Sequence, residues 1–328
     1  MKKYLSILFA ALVCSCGGGD EPDDPNNKKD PDPQPPVQNS EYLKMMSFNM
    51  RNQQASDTDK LAWDYRKFAV KEMINEVQPD IIALQECAST SRSWYKNTFK
   101  DTYGFRDVPA TLSTSGSGGN ACIMYRLDRF DLIEAGGYFL SFTPDEPSHC
   151  FNVGDNSWRT SAWLHLKEKA SGKELYAMST HLPVRTNSNY DNAPYIEART
   201  LGAQLNVTRM KAMAGDDAIC FIGGDMNCSY QTSSGGSNAS GVQVLSEYTK
   251  WMEDGRTPKT KEADFQNITP TGVYSFNSFG SGTPSPSRNL DHIFFRNVKA
   301  AKFETITKIY ADMPYISDHY PVMLTVKF

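Results

Sequence analysis

Short apolar runs, most of them closing on an acid, an amide or a histidine, set the narrowest limits on what this chain can fold into. Leu43–Asn49, Asp80–Leu84, Ala121–Tyr125, Ser161–Leu166, Glu174–Thr180, Ile219–Ile222, Asp291–Phe295, Phe303–Ile309 and Val322–Val326 read as strands. Only two stretches ask for helices. Around 62–77, Val70, Met73, Ile74 and Val77 recur at helical spacing, and Pro79 closes the segment. The second covers Tyr195–Ala214, ahead of the Gly215-Asp216-Asp217 turn. Gly/Ser-rich loops fall at 113–119, 231–241 and 280–287, and the glycines at 116–119 lack the Gly-Lys-Ser/Thr of a phosphate-binding loop. Many strands with few helices point to two packed sheets with helices outside, an α+β layered domain over 41–328. The 39 % of apolar residues supply an ample core for it.

The first forty residues stand apart. Lys2 and Lys3 precede the apolar run Leu5–Val13, far short of the roughly 20 residues a membrane-spanning helix needs. Residues 1–16 therefore read as a secretory signal. Val13-Cys14-Ser15-Cys16 followed by Gly17-Gly18-Gly19 resembles a bacterial lipoprotein signal, with Cys16 as the lipid-bearing residue and Cys14 as the alternative. Residues 17–40 hold six of the 18 prolines and a net charge of −4. Such a stretch cannot bury enough apolar surface to order itself, and reads as an acidic tether. An extracytoplasmic protein anchored to a membrane through its N-terminal lipid is the expectation.

The remaining body carries a net charge of only −2. That is not the basic excess of a dedicated nucleic-acid binder. Its cysteines, Cys87, Cys122, Cys150, Cys220 and Cys228, are odd in number and show no zinc-binding spacing. Neither a disulfide framework nor structural zinc is indicated.

The polar residues at strand ends carry the chemistry. Met45-Met46-Ser47-Phe48 ends in Asn49, Asp80–Gln85 in Glu86, and Leu175–Thr180 in His181. Cys220–Gly224 ends in Asp225-Met226-Asn227, Asp291-His292 opens Ile293-Phe294-Phe295, and Ser317-Asp318-His319 precedes the last strand. Singly, each is an ordinary turn or cap residue. Together they form the set that oxygen-ligated metal and phosphate chemistry requires.

In this order the segments resemble the endonuclease/exonuclease/phosphatase superfamily, which includes deoxyribonuclease I, abasic-site endonucleases, sphingomyelinases and inositol polyphosphate 5-phosphatases. The matching pieces are Ser47–Arg51, Pro79–Glu86, Ser179–Leu182, Gly224–Asn227, Leu290–Phe294 and Ser317–Val322. A closer resemblance, to its secreted bacterial branch, rests on Gly119-Asn120-Ala121, Arg126–Phe130, Arg159–Trp163 and Glu197-Ala198-Arg199.

The resemblance implies two mainly antiparallel sheets packed face to face and flanked by helices, a four-layer α/β/β/α sandwich with its site along one edge. Glu86 would be the principal ligand of Mg²⁺ or Mn²⁺, since hard carboxylate oxygen suits a hard cation. Asn49 would help hold metal or phosphate, and Asp318 would support the metal. Asp225 would orient and deprotonate the attacking water, and Asn227 would bind that water or a phosphate oxygen. His319, oriented by Asp291, would stabilise the phosphate, and His181 would donate to its oxygens or the leaving group. Asn120, Arg159 and Arg185 are candidates for touching substrate. His292 alternates with Asp291 and should face the opposite side as a packing residue; His149 and His165 fall outside the motifs.

The expected activity is in-line hydrolysis of a small-molecule or lipid-linked phosphate ester by a monomer. A nuclease of the same fold is the alternative, disfavoured by the neutral body because stripping counterions from nucleic acid recruits a basic face. A surface binding module without catalysis is the other, and the intact residue set speaks against it.

Overall fold

A computed structural model describes residues 41–54, 56–108, 121–151, 153, 158–184 and 193–328. The signal and tether assigned to 1–40, with Cys16, lie outside them, as do Asn120 and Arg185. One sheet has seven strands in the order β10-β12-β13-β1-β2-β4-β3, the other six in the order β5-β6-β7-β8-β11-β9. The first comprises β1 (Tyr42–Asn49), β2 (Ile81–Gln85), β3 (Tyr103–Asp107), β4 (Cys122–Arg126), β10 (Lys261–Asn267), β12 (Lys299–Thr305) and β13 (Val322–Lys327). The second comprises β5 (Phe130–Phe139), β6 (Thr160–Glu168), β7 (Glu174–His181), β8 (Ile219–Asp225), β9 (Glu253–Asp254) and β11 (Asp291–Arg296). Most pairs are antiparallel, as expected, but β1/β2, β7/β8 and β10/β12 run parallel, so both sheets are mixed.

Period-two alternation explains the layers. Leu43 and Met45 of β1 and Ile81 and Ala83 of β2 meet Ala177 of β7, Phe221 of β8 and Ile293 of β11 in the core between the sheets. The alternate residues Met46, Phe48, Ile82 and Leu84 pack outward under α1 (Trp63–Val77) and α2 (Ser89–Thr98). On the far side Met178, Ile222 and Phe294 pack beneath α3 (Ala193–Ala214) and α4 (Ala239–Thr249). Gly223 is needed where the sheets approach most closely, since a Cβ there would sit 3.0 Å from that of Ala83.

Helix α1 stops as expected. Pro79 disfavours helical geometry at the residue before it, and Gln78 turns left-handed with φ 47°. The reading of few helices missed α2 and α4. In α2 the apolar residues are Trp94, Tyr95 and the following Phe99, an aromatic cluster with Trp63 rather than a repeating stripe. In α4, Gly241, Val244, Leu245 and Tyr248 do recur at helical spacing, behind the Gly/Ser-rich run that precedes them. The expected strand Phe303–Ile309 is shifted to Lys299–Thr305, because pairing with β13 from Lys299↔Lys327 to Thr305↔Val322 sets its limits. All five body cysteines are free.

Two buried polar arrangements tie the layers together. Asn206 of α3 donates to Thr180 and Tyr248 and accepts from Tyr138 and Ser161, at 2.7–2.9 Å. His292 faces away from the inter-sheet core, as its alternation predicts, and pairs with Asp254 at 2.8 Å. Burial opposes ionisation of Asp254, but His292 and the Arg256 N–H outweigh it and hold the carboxyl below its usual 3.8. A lowered native pKa contributes stability above the unfolded value and loses it as pH falls through the native one. Asp254→Asn should therefore be less stable than the parent near neutrality, with the gap closing below pH 3.8. Urea unfolding of both across pH 3–7 measures this.

Candidate active site

Sheet alternation delivers the site residues to one place. Asn49 continues the inter-sheet parity of Met45 on β1, His181 that of Ala177 on β7, Asp225 that of Phe221 on β8, and Asp291 that of Ile293 on β11. On neighbouring strands Asp225 is the register partner of both His181 and Asp291. These side chains thus stand in a row at the open end of the core, where polar groups replace apolar ones.

Asp225 is the centre of the row. Its Oδ1 accepts from the Asn227 N–H at 2.9 Å, and its Oδ2 accepts from Asn49 Nδ2 at 3.0 Å. The same Oδ2 faces His181 Nε2 at 3.4 Å and His319 Nε2 at 3.7 Å. Burial disfavours the charged carboxylate, but His319, His181 and the Asn227 N–H prevail and hold it well below the ordinary range.

The two histidines are pulled in opposite directions. His319 Nδ1 lies 2.8 Å from Asp291 Oδ2. Burial works against a charged ring, yet Asp291 and Asp225 raise its pKa to about 10, so it is an imidazolium at neutral pH. For His181, burial and then the Arg159 charge lower the pKa, against Asp225 and Glu86. Arg159 reaches His181 Nδ1 at 2.8 Å. A guanidinium can only donate. The same guanidinium lies 3.0 Å from Nε2, so donors face both ring nitrogens, and the lowered pKa leaves the ring neutral. Arg159 thus braces a site histidine, while its own buried Nε has no acceptor among the described residues. Asn227 Nδ2 donates to Leu182 O at 3.0 Å and lies 3.1 Å from His181 Nε2.

Glu86, half-buried, follows β2 in a left-handed turn with φ 59°. Asn227 and Arg51 share this conformation, which costs of order 1–3 kcal/mol per residue and collects at functional sites. Glu86 Oε2 accepts from the Asn52 N–H at 3.0 Å and Oε1 from Asn49 Nδ2 at 3.2 Å. Burial opposes its ionisation, but His181 and these donors hold its carboxyl below the usual range. Asp318 is raised by burial and by the Glu86 charge, against His319 and Arg51.

The Arg51 N–H donates to Asn49 Oδ1 at 3.1 Å, and the Asn49 amide presents its N–H groups to Glu86 and Asp225, so it positions both carboxylates. Asp225, Asp291 and His319 carry atoms close enough together to surround an ion. The His319 imidazolium offsets one of the two carboxylate charges, and Glu86 and Asp318 add further hard oxygens to the cluster.

Several supports had no role in the sequence reading. Arg51 joins Asp318 at 3.2 Å and Asp57 at 3.1 Å. Ser275 Oγ accepts from the N–H of Leu290 and of Asp291, both at 3.0 Å. Ser317 donates to Asn49 O at 2.7 Å, tying the Asp318-His319 loop to the end of β1. Fully buried Arg66 donates to the carbonyls of Met50, Arg51, Leu61 and Ile316. Burial lowers its pKa to about 10, still charged at neutral pH. No alternation or motif signals it; only an arginine three residues after Trp63, inside an apolar helix face, hints at a buried role. Arg66→Met should cost about 3–5 kcal/mol by stranding those carbonyls, measurable as a fall in the denaturation midpoint.

Among solved structures, the chain is similar to an endonuclease/exonuclease/phosphatase from Bacteroides vulgatus, with a TM-score of 0.71 and 21 % identity over 87 % of this chain and 98 % of that one. It is likewise similar to a mannosyl-6-phosphatase from Bacteroides thetaiotaomicron, with a TM-score of 0.69 and 24 % identity over 87 % of this chain and all of that one. At these identities the likeness is one of fold. A 136-residue stretch is 26 % identical to the CCR4-Not complex 3′-5′-exoribonuclease subunit Ccr4 of Saccharomyces cerevisiae, spanning 37 % of this chain but only 16 % of the yeast protein. The sequence profile of the Endonuclease/Exonuclease/phosphatase family matches residues 46–319, from the core of β1 to His319, and the chain belongs to that family of phosphate-ester hydrolases.

Proposed function

We propose that this chain is an extracytoplasmic, lipid-anchored hydrolase of a small phosphate ester, dependent on Mg²⁺ or Mn²⁺ and using water as nucleophile. The observation that carries it is Asp225, a fully ionised acceptor set between a neutral histidine and an imidazolium. Water attacks phosphorus in line as the ester P–O bond breaks. Held so far below neutrality, Asp225 is a weak base, and its larger contribution is to orient the water, accepting its proton as the new P–O bond forms. The His319 imidazolium, kept charged by Asp291, offsets negative charge growing on the phosphoryl oxygens. His181 and Asn227 supply donors to those oxygens or the leaving group, with Arg159 bracing the His181 ring. Glu86 and Asp318 would hold the ion: the Glu86 charge raises the Asp318 carboxyl, and such oxygen donors suit a hard divalent cation. Bound there, it would supply Lewis-acid neutralisation of phosphate charge.

The near-neutral body and the phosphatase among the structural relatives favour a small ester over nucleic acid. A panel on the full chain in detergent tests this, with duplex and single-stranded DNA, RNA, sphingomyelin, inositol phosphates and nucleotide monoesters. Metal-dependent cleavage of a small ester is expected; cleavage confined to DNA or RNA would replace this reading with the nuclease. For the anchor, Cys16→Ala should move the protein from the membrane to the soluble fraction. Release by Cys14→Ala alone would move the lipid to Cys14.

A further inference from the structure

Two of the free cysteines meet behind the active site. Cys87 directly follows Glu86, and Cys122 opens β4. Both are fully buried in the core layer beneath α1 and α2, and a hydrogen bond joins their side chains. The surrounding structure holds the same juxtaposition. Cys122 is the register partner of Leu84 on β2 and of Asp107 on β3. Arg92 of α2 pairs with Asp107 at 3.3 Å and reaches the Cys87 carbonyl at 3.5 Å. One guanidinium thus spans from the strand beside Cys122 to Cys87 itself.

The other body cysteines, Cys150, Cys220 and Cys228, pack in the layer beneath α3 and α4, with both sheets between the two groups. Among the described cysteines, Cys87 and Cys122 therefore have only each other as a partner. Two sulfurs already in hydrogen-bond contact need a small rotation about their Cα–Cβ bonds to reach the bonded separation of about 2.0 Å. A bond between them would close the loop 87–122, which carries α2 and β3, and would fasten the turn bearing Glu86 to the neighbouring strand.

We propose that Cys87 and Cys122 are a site of oxidative modification, a dithiol that closes to an intramolecular disulfide and pins the Glu86 turn to β4. One thiolate attacks a disulfide-bearing oxidant and expels half of it; the second attacks the resulting mixed disulfide and expels the other half. The pair gives up two protons and two electrons, and the oxidant takes up both and leaves as two thiols. The proposal is independent of the hydrolase reading. Only the natural oxidant depends on the extracytoplasmic one, since such bonds form and persist outside the cytoplasm. Burial, and then Cys87 itself, push the Cys122 thiol well above its usual 9.0. The thiolate is scarce in the folded protein, so the bond forms while the chain folds or opens, and once closed it is shielded from reductants.

The test refolds the full chain in detergent from urea with oxidised glutathione, beside a sample refolded in dithiothreitol. Supplying the oxidant makes the result independent of where the protein resides. A non-reduced proteolytic digest should yield a joined peptide pair holding Cys87 and Cys122, absent from the reduced sample. The thermal midpoint of the oxidised sample should stand about 4–10 °C above the reduced one, the shift a bridge of ordinary strength gives a domain of this size. Cys87→Ala and Cys122→Ala should each lose the joined peptide and the oxidant-dependent rise. The peptide evidence comes from the parent alone, so it holds whether or not a variant folds. Free thiols at Cys87 and Cys122 after oxidation, or glutathione adducts on them in place of the bond, would overturn the proposal. An oxidant-dependent rise of the same size in both variants would do so as well.

Discussion

Asp225→Ala should lower kcat by about 10³- to 10⁴-fold, the range expected when the group that orients and accepts from the nucleophile is removed. The loss belongs to chemistry and not to folding. The main-chain ladders of β8 to β7 and β11 do not involve the side chain, so the strand stays in register. Asp225→Asn separates charge from shape: it keeps the volume and one acceptor but removes the negative charge that both histidines face at 3.4 and 3.7 Å. A comparable loss of kcat in the amide, with an unaltered circular dichroism spectrum, would assign the effect to charge. Near-normal kcat in either variant would refute the role given to Asp225.

Excess chelator should abolish turnover, and added Mg²⁺ or Mn²⁺ should restore it. Glu86 and Asp318 place two carboxylates at one end of the sandwich, with Arg51 ion-paired to Asp318 and His319 offsetting part of their charge. A binding measurement checks the ion without relying on catalysis. A ligand at 100 times its Kd stabilises the native state by about 2.7 kcal/mol, so the thermal midpoint should rise with Mg²⁺ or Mn²⁺. Glu86→Gln should lose that rise and need far more metal for activity. Full turnover in excess chelator, or a midpoint in Glu86→Gln that responds to metal as the parent does, would remove Glu86 as the principal ligand.

The strand ends were legible because alternation is a local property. Once Met45, Ala177, Phe221 and Ile293 are recognised as core, Asn49, His181, Asp225 and Asp291 must share their face, whatever the rest of the chain does. The same argument placed His292 on the opposite face, where it meets Asp254. What stayed illegible was whatever depends on residues distant in sequence. Arg66 reaches Met50 and Ile316, contacts that neither spacing nor composition encodes. The amide of Asn49 is a smaller case of the same kind: its orientation is set by the Arg51 N–H, and an asparagine alone does not say which end faces a carboxylate.

The sequence by itself determined the layered α+β architecture, the family and the membership of the polar cluster, because periodic burial and residue type act strand by strand. Only the tertiary structure decided the protonation states and the division of labour. His181 and His319 both follow short apolar or polar runs and differ in nothing local that would set their charge. Burial and then the Arg159 charge push the one ring's pKa down, while Asp291 and Asp225 outweigh burial and push the other's up.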